Sequence, residues 1–198
     1  MIKAVIFDLG HVLFTGTQGL ENHLEPILGI KANNLSFTWK GNVFKQFLYG
    51  KISEDEYWKK IIEKNDWKID VESLKKIIRK NFEEIKGTFK IVTSLKDKGY
   101  KLGILSGHTK EWIEYLREKY DYEKYFNASV YSFQIGFNKP DIRIYNKILE
   151  KLEVKPEECI FIDDREEFLA PAKKTGMTTI LFKSAEQARK ELREVGVL

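Results

Sequence analysis

Ala4-Val5-Ile6-Phe7-Asp8-Leu9-Gly10-His11 is the stretch that decides the fold. Its first four residues form a continuous apolar run, and a carboxylate follows at the C-terminal end. A run without polar alternation suits a strand buried on both faces of a parallel sheet, not one that faces water. Four further strand candidates come only after residue 98: Lys101-Leu102-Gly103-Ile104-Leu105, Ser129-Val130-Tyr131-Ser132, Cys159 to Ile162, and Thr179-Ile180-Leu181-Phe182. Helical periodicities alternate with them, near residues 88–98, 109–119, 141–152, 167–175 and 185–194. That alternation predicts an α/β domain, a doubly wound parallel sheet with right-handed crossovers.

Between the first two strands, residues 15–85 show helical patterns near 20–28, 32–48, 54–64 and 71–84, with no convincing strand. Ser53 with Glu56 makes an N-terminal capping box, and Asp70 suits the N-cap of the last of these helices. Trp39, Phe44, Phe47, Trp58, Trp67 and Phe82 offer the segment a core of its own. The expected organisation is a core domain of residues 1–14 and 86–198, with a small helical domain of residues 15–85 inserted into it.

Composition narrows the functions. With 42% hydrophobic and 13% aromatic residues among 198, the chain can fill a packed interior. The 34 Lys and Arg against 30 Asp and Glu give a formal charge of only +4. The short lysine runs, such as Lys59-Lys60 and Lys173-Lys174, fall in helical patterns as solvated faces, which speaks against a nucleic-acid partner. No apolar run approaches ~20 residues and the first residues do not read as a leader, so no membrane partner is expected and a cytoplasmic setting is. The single Cys159 opens an apolar run and reads as a small buried hydrophobe.

In open α/β sheets ligands bind in the crevice at the carboxyl ends of the strands. Those ends, taken in order, carry Asp8, then Ser106, then Lys139 shortly after the third strand, then Asp163-Asp164 after the fourth. The carboxylates suit a hard divalent cation, the lysine adds positive charge, and the hydroxyl offers a hydrogen bond. Such a pocket is built to receive a phosphoryl group.

Four segments carry a family resemblance. Val5-Ile6-Phe7-Asp8-Leu9-Gly10-His11-Val12-Leu13, Gly103-Ile104-Leu105-Ser106, Gly136-Phe137-Asn138-Lys139-Pro140 and Phe161-Ile162-Asp163-Asp164 resemble, in order and spacing, the motifs of haloacid dehalogenase-like hydrolases. Any one alone is a weak match; four in order across the whole chain are a strong one. The resemblance implies a Rossmann-like core with an inserted helical cap, and looks nearest to small sugar-phosphate phosphatases whose first motif reads Asp-Leu-Gly. It further implies that Asp8 attacks phosphorus to form an aspartyl-phosphate. Magnesium is then held by the Asp8 carboxylate, the Gly10 carbonyl, Asp164 and, directly or through water, Asp163. By the same resemblance Ser106 and the Gly107 N–H bind phosphoryl oxygens, and Lys139 neutralises nucleophile and transferring group. The implied substrate is a small phosphorylated metabolite.

Two positions depart from the pattern. The second aspartate usual two residues after the nucleophile is here Gly10, and the amide usual four residues after the acidic pair is here Phe168. His11, with an ordinary pKa of about 6.5, is the candidate substitute acid/base. The alternative is that it packs beneath the cap or bonds to a backbone carbonyl. His108 stands near the mouth of the site, and His23 reads as a surface residue. Halide displacement and a weakly active or non-catalytic binding protein are the competing functions. The acidic pair favours a phosphatase over a dehalogenase, which needs no metal. In the cap, Trp39 and Phe44 are the candidates to face substrate; the substrate itself and the oligomeric state leave no signature in the sequence.

Overall fold

The opening apolar run forms strand β1 (Ala4–Phe7), buried at every residue. The computed structural model describes residues 1–17, 19–29 and 40–198. Strands β2 (Lys101–Ser106), β3 (Ala128–Tyr131), β4 (Cys159–Asp163) and β5 (Thr178–Leu181) join β1 in one sheet, ordered β3-β2-β1-β4-β5. All four pairings are parallel, with Ile6 opposite Gly103 on one side and Phe161 on the other. The expected doubly wound α/β fold is the observed one.

Because side chains alternate along a strand, β1 feeds two cores. Val5 and Phe7 face helices α5 (Thr88–Asp97), α6 (Lys110–Tyr120) and α10 (Ala185–Glu194), through Ile91, Leu95, Ile113, Leu116, Ala188 and Leu192. Ala4 and Ile6 face α8 (Ile142–Leu152) and α9 (Glu166–Thr175), through Ile144, Ile148, Leu152, Leu169 and Ala172. Truncating a fully buried aliphatic such as Ile6 to Ala costs about 2–5 kcal/mol.

Between β1 and α5 lie α1 (Leu20–Leu28), α2 (Gly41–Leu48), α3 (Glu54–Asn65) and α4 (Val71–Lys80). Ser53 and Glu56 form the expected capping box on α3, and Asp70 accepts from the Ser73 N–H at 2.8 Å to cap α4. Helix α4 ends four residues before the periodicity does. Asn81 there turns its amide onto the Gly16 carbonyl at 2.7 Å, and the chain becomes extended. Residues 13–15 and 83–85 then run side by side: the Thr15 N–H donates to the Glu83 carbonyl and the Ile85 N–H to that of Leu13, both at 2.9 Å. Residues 30–39, and with them Trp39 and the start of the helix expected over 32–48, lie outside the described residues.

The aromatic residues of these helices do not form a separate core. Phe47, Tyr57, Trp58, Trp67 and Phe82 belong to the same buried cluster as Val5 and Phe7. The reason is Trp112 of α6, whose ring stands 5.7 Å from that of Phe47 and 5.5 Å from that of Phe82. A short helix not foreseen from the sequence, α7 (Ser132–Ile135), follows β3. Cys159 is buried as expected. Among the described residues no helix is long and apolar enough to cross a membrane.

Candidate active site

The loop leaving β1 is tightly wound. The N–H groups of Leu13 and Phe14 both donate to the Leu9 carbonyl, and that of His11 donates back to the Phe14 carbonyl at 2.6 Å. His11 sits at φ 62, in the left-handed region. That conformation costs a non-glycine residue roughly 1–2 kcal/mol, and strain of this kind collects where geometry serves a site.

Asp8 ends β1 with the Leu9 N–H on its Oδ1 at 2.7 Å and Lys139 Nζ on the same oxygen at 2.9 Å. No hydrogen bond from a described residue reaches its Oδ2. Lys139 is buried and also donates to Asp163 Oδ2 at 2.5 Å, while the Arg165 N–H donates to Asp163 Oδ1 at 2.9 Å. Both oxygens of the fully enclosed Asp163 are thus occupied. This carboxylate fixes the lysine and still lies within the acidic cluster formed with Asp8 and Asp164.

Burial pushes the Asp8 carboxyl up to about 7, opposed by Lys139 and reinforced by the charges of Asp163 and Asp164. Burial also works against the Lys139 ammonium, yet Asp8 and Asp163 outweigh it and hold the group above its ordinary value. Under its Nζ lie the rings of Phe168 at 5.0 Å and Phe161 at 5.5 Å. Phe168 also carries the Arg165 guanidinium at 4.4 Å. Where the sequence lacks the usual amide, then, an aromatic face holds the cation.

One ligand oxygen from each of Asp8, Asp163 and Asp164 falls within 4.8 Å of the others. Three hard oxygen donors at that spacing fit a divalent cation such as magnesium. His11 Nδ1 meets Asp164 Oδ2 at 3.1 Å, with a third of the His11 side chain exposed (34%). Burial lowers the affinity of this imidazole for a proton, but the Asp164 and Asp8 carboxylates prevail and raise it above the ordinary histidine value.

A cavity of about 180 Å³ opens over these groups. Asp8, Gly10, His11, His108, Lys139 and Asp164 line it at the sheet edge and the loops beyond, and Phe44 and Leu48 of α2 complete the lining with Trp112 and Arg165. Phe44, one of the two residues expected to face substrate, lines this cavity. Ser106 is not part of the wall: it is fully enclosed, its Oγ lies 2.9 Å from His108 Nδ1, and Gly107 and His108 line the cavity in its stead. Gly107 also makes room for a neighbour, since a Cβ there would stand 2.5 Å from Asn138 Oδ1.

Trp112 escapes motif reading although it stands one turn beyond His108 on α6. Its Nε1–H donates to Glu54 Oε1 at 2.7 Å; the same buried carboxylate accepts from Trp58 Nε1 at 3.3 Å and from both terminal nitrogens of Arg79. Glu54 thereby joins α3 and α4 to α6. The sequence gives no sign of this, because Glu54 reads as one of three acidic residues in the first turn of a helix.

A parallel sheet with three carboxylates and a buried lysine at its C-terminal edge has the donors to hold a cation and an anionic group side by side. The sequence profile of the haloacid dehalogenase-like hydrolases matches residues 5–182, and the chain belongs to that family. It is 33% identical over 109 residues to the bifunctional epoxide hydrolase 2 of Mus musculus, covering 52% of this chain but only 19% of that much longer protein. It is 25% identical over 197 residues to a glyceraldehyde 3-phosphate phosphatase of Methanocaldococcus jannaschii, covering 91% of this chain and 84% of the relative. A HAD family enzyme of Bacteroides thetaiotaomicron, solved in complex with magnesium and inorganic phosphate, superposes with a TM-score of 0.75 at 23% identity, over 93% of this chain and 96% of the other.

Proposed function

We propose that the protein is a magnesium-dependent phosphatase of a small phosphorylated metabolite, working through an aspartyl-phosphate on Asp8. The observation that carries this reading is the Asp8–Lys139–Asp163 array set beside Asp164 at the floor of a small cavity. The likeness to a glyceraldehyde 3-phosphate phosphatase supports a short phosphate ester as substrate.

Asp8, Asp164 and the Gly10 carbonyl would hold the metal, with Asp163 behind Lys139. Magnesium, when bound, offsets the repulsion between a carboxylate nucleophile and an anionic ester. Asp8 attacks through Oδ2, the oxygen that neither Lys139 nor the Leu9 N–H engages. Lys139, fixed by Asp163, supplies positive charge to the phosphoryl oxygens as charge develops there. The Gly107 N–H at the cavity wall adds a donor, and Ser106 contributes through His108. Helices α1 to α4 act as the cap, with Phe44 and Leu48 shielding the phosphoryl group from bulk water. Halide displacement is the weaker reading because it leaves the acidic cluster without a task.

Hydrolysis of a panel of phosphate monoesters, with and without magnesium and with Asp8→Asn as control, tests the proposal. Turnover that needs both magnesium and Asp8 is expected. Absence of turnover on every ester, or turnover indifferent to both, overturns it.

A further inference from the structure

Gly10 is not a glycine for the sake of its backbone, since its φ lies outside the left-handed region that claims ten other glycines of the described residues. What it lacks is room. A Cβ at this position would stand 2.5 Å from His108 Cε1, closer than real side chains approach, and 3.3 Å from Nε2. The imidazole of His108 fills the volume that a side chain on residue 10 would occupy, in the lining of the cavity that Asp8 also lines.

The ring is held there. Its Nδ1 lies 2.9 Å from the enclosed Ser106 Oγ, and its edge meets the Trp112 ring at a centroid distance of 6.2 Å. In the tautomer whose Nδ1 accepts from the Ser106 hydroxyl, the ring proton sits on Nε2, where no described residue engages it. The other basic groups of the floor are committed: Lys139 to Asp8 and Asp163, His11 to Asp164.

We propose that His108 takes the place of the side chain missing at position 10 and donates a hydrogen bond from Nε2 to the ester oxygen that departs from phosphorus. This rests on the phosphatase reading. As the Asp8–phosphorus bond forms, the bond from phosphorus to the ester oxygen breaks and its electron pair stays on that oxygen. The leaving oxygen takes its proton from solvent, and the imidazole keeps its own. A neutral imidazole is a competent electrophile toward developing negative charge on oxygen, and a fixed donor at such an oxygen is worth roughly 10²-fold or more in rate. His11, turned to Asp164, has no part in this step.

The test compares two esters of similar shape and opposite need. p-Nitrophenyl phosphate releases a stable phenolate and needs little help, whereas benzyl phosphate releases an alkoxide and needs a donor. Measured with magnesium as kcat/KM, which reports the first transfer, His108→Ala is expected to lose at least about tenfold more on benzyl than on p-nitrophenyl phosphate. His108→Gln, whose amide reaches the Nε2 position, restores much of the ratio. Gly10→Asp alone collides with the ring and lowers both rates, while Gly10→Asp with His108→Gly places a carboxyl group in the vacated space and recovers the benzyl ester selectively. Equal loss on both esters in His108→Ala, with the protein folded by its thermal transition, overturns the assignment and leaves the phosphatase reading intact. A wild-type protein that hydrolyses neither ester overturns both.

Discussion

The two walls of the cavity are built on opposite principles. The sheet edge is charged and dry: Asp8, Lys139 and Asp163 are buried and joined by ion pairs of 2.9 and 2.5 Å. The facing wall, from α2, offers the apolar side chains of Phe44 and Leu48. The buried carboxylate of the inserted helices, Glu54, is instead turned toward Trp112, Trp58 and Arg79. Charge at the sheet edge is placed to act on substrate, and charge among the helices is placed to hold helices. Substitutions on the first wall should therefore change rate, and those on the second should change stability or affinity.

Lys139→Met is the severest way to break that contrast. It leaves Asp8 and Asp163 facing each other without a cation, and should cut kcat by about 10³-fold while costing about 3–5 kcal/mol of stability. Steady-state kinetics and urea unfolding measure the two losses, and near-normal kcat would remove the lysine from the chemistry.

Glu54→Ala, among the inserted helices behind the apolar wall, removes an acceptor from Arg79 and from two indoles. A loss of about 3 kcal/mol in urea unfolding with kcat falling less than about tenfold is the expected pattern. A fall in kcat as deep as that of Lys139→Met would erase the distinction between the walls.

Asp8→Asn sharpens it from the opposite side. The Asp8 carboxyl titrates near 7 in the fold against 3.8 for an unconstrained aspartate. Between those values the folded protein binds more protons at this site than the unfolded chain, so the group's contribution falls as pH rises through that window. The metal-free Asn variant should consequently be inactive yet more stable than wild type by about 1–3 kcal/mol at pH 8. The gain should vanish near pH 4, and thermal melts at the two pH values check the sign.

Two smaller effects complete the series. Phe44→Ala should raise KM by about tenfold, the equivalent of ~1.4 kcal/mol, with kcat nearly unchanged. Phe168→Asn supplies the amide at the cost of the aromatic face under Lys139 and Arg165, and should lose about 0.5–1 kcal/mol in the metal-free protein. A stability gain there would show that the ring is a poor substitute.

The charged wall was legible in the sequence and the helical wall was not. Asp8, Lys139 and the acidic pair each follow an apolar run that predicts a strand, and a parallel sheet brings such strand ends to one edge whatever the details of packing. Helix existence was equally readable, because capping at Ser53 and Asp70 is a local matter. Glu54 and Trp112 are 58 residues apart, and no local periodicity couples them. The placement of Ser106 behind His108, and of His108 in the space beside Gly10, depends on how β2 passes into α6 next to the loop after β1. A glycine at position 10 reads in one dimension as a missing group; only in three dimensions is the space seen to be filled.

The Glu54 clasp also bears on motion. Swinging all four inserted helices away from the sheet as one rigid lid would tear the carboxylate from Trp112 of α6, and separating α3 from α4 would tear it from Arg79. A hydrogen bond to a buried charge is worth about 1.5–3 kcal/mol, and the Glu54–Arg79 ion pair adds to that in the second motion. Helices α3 and α4 therefore ride with the sheet as part of its frame, and α2 is held to that frame through the Phe47 ring against Trp112 and Tyr57.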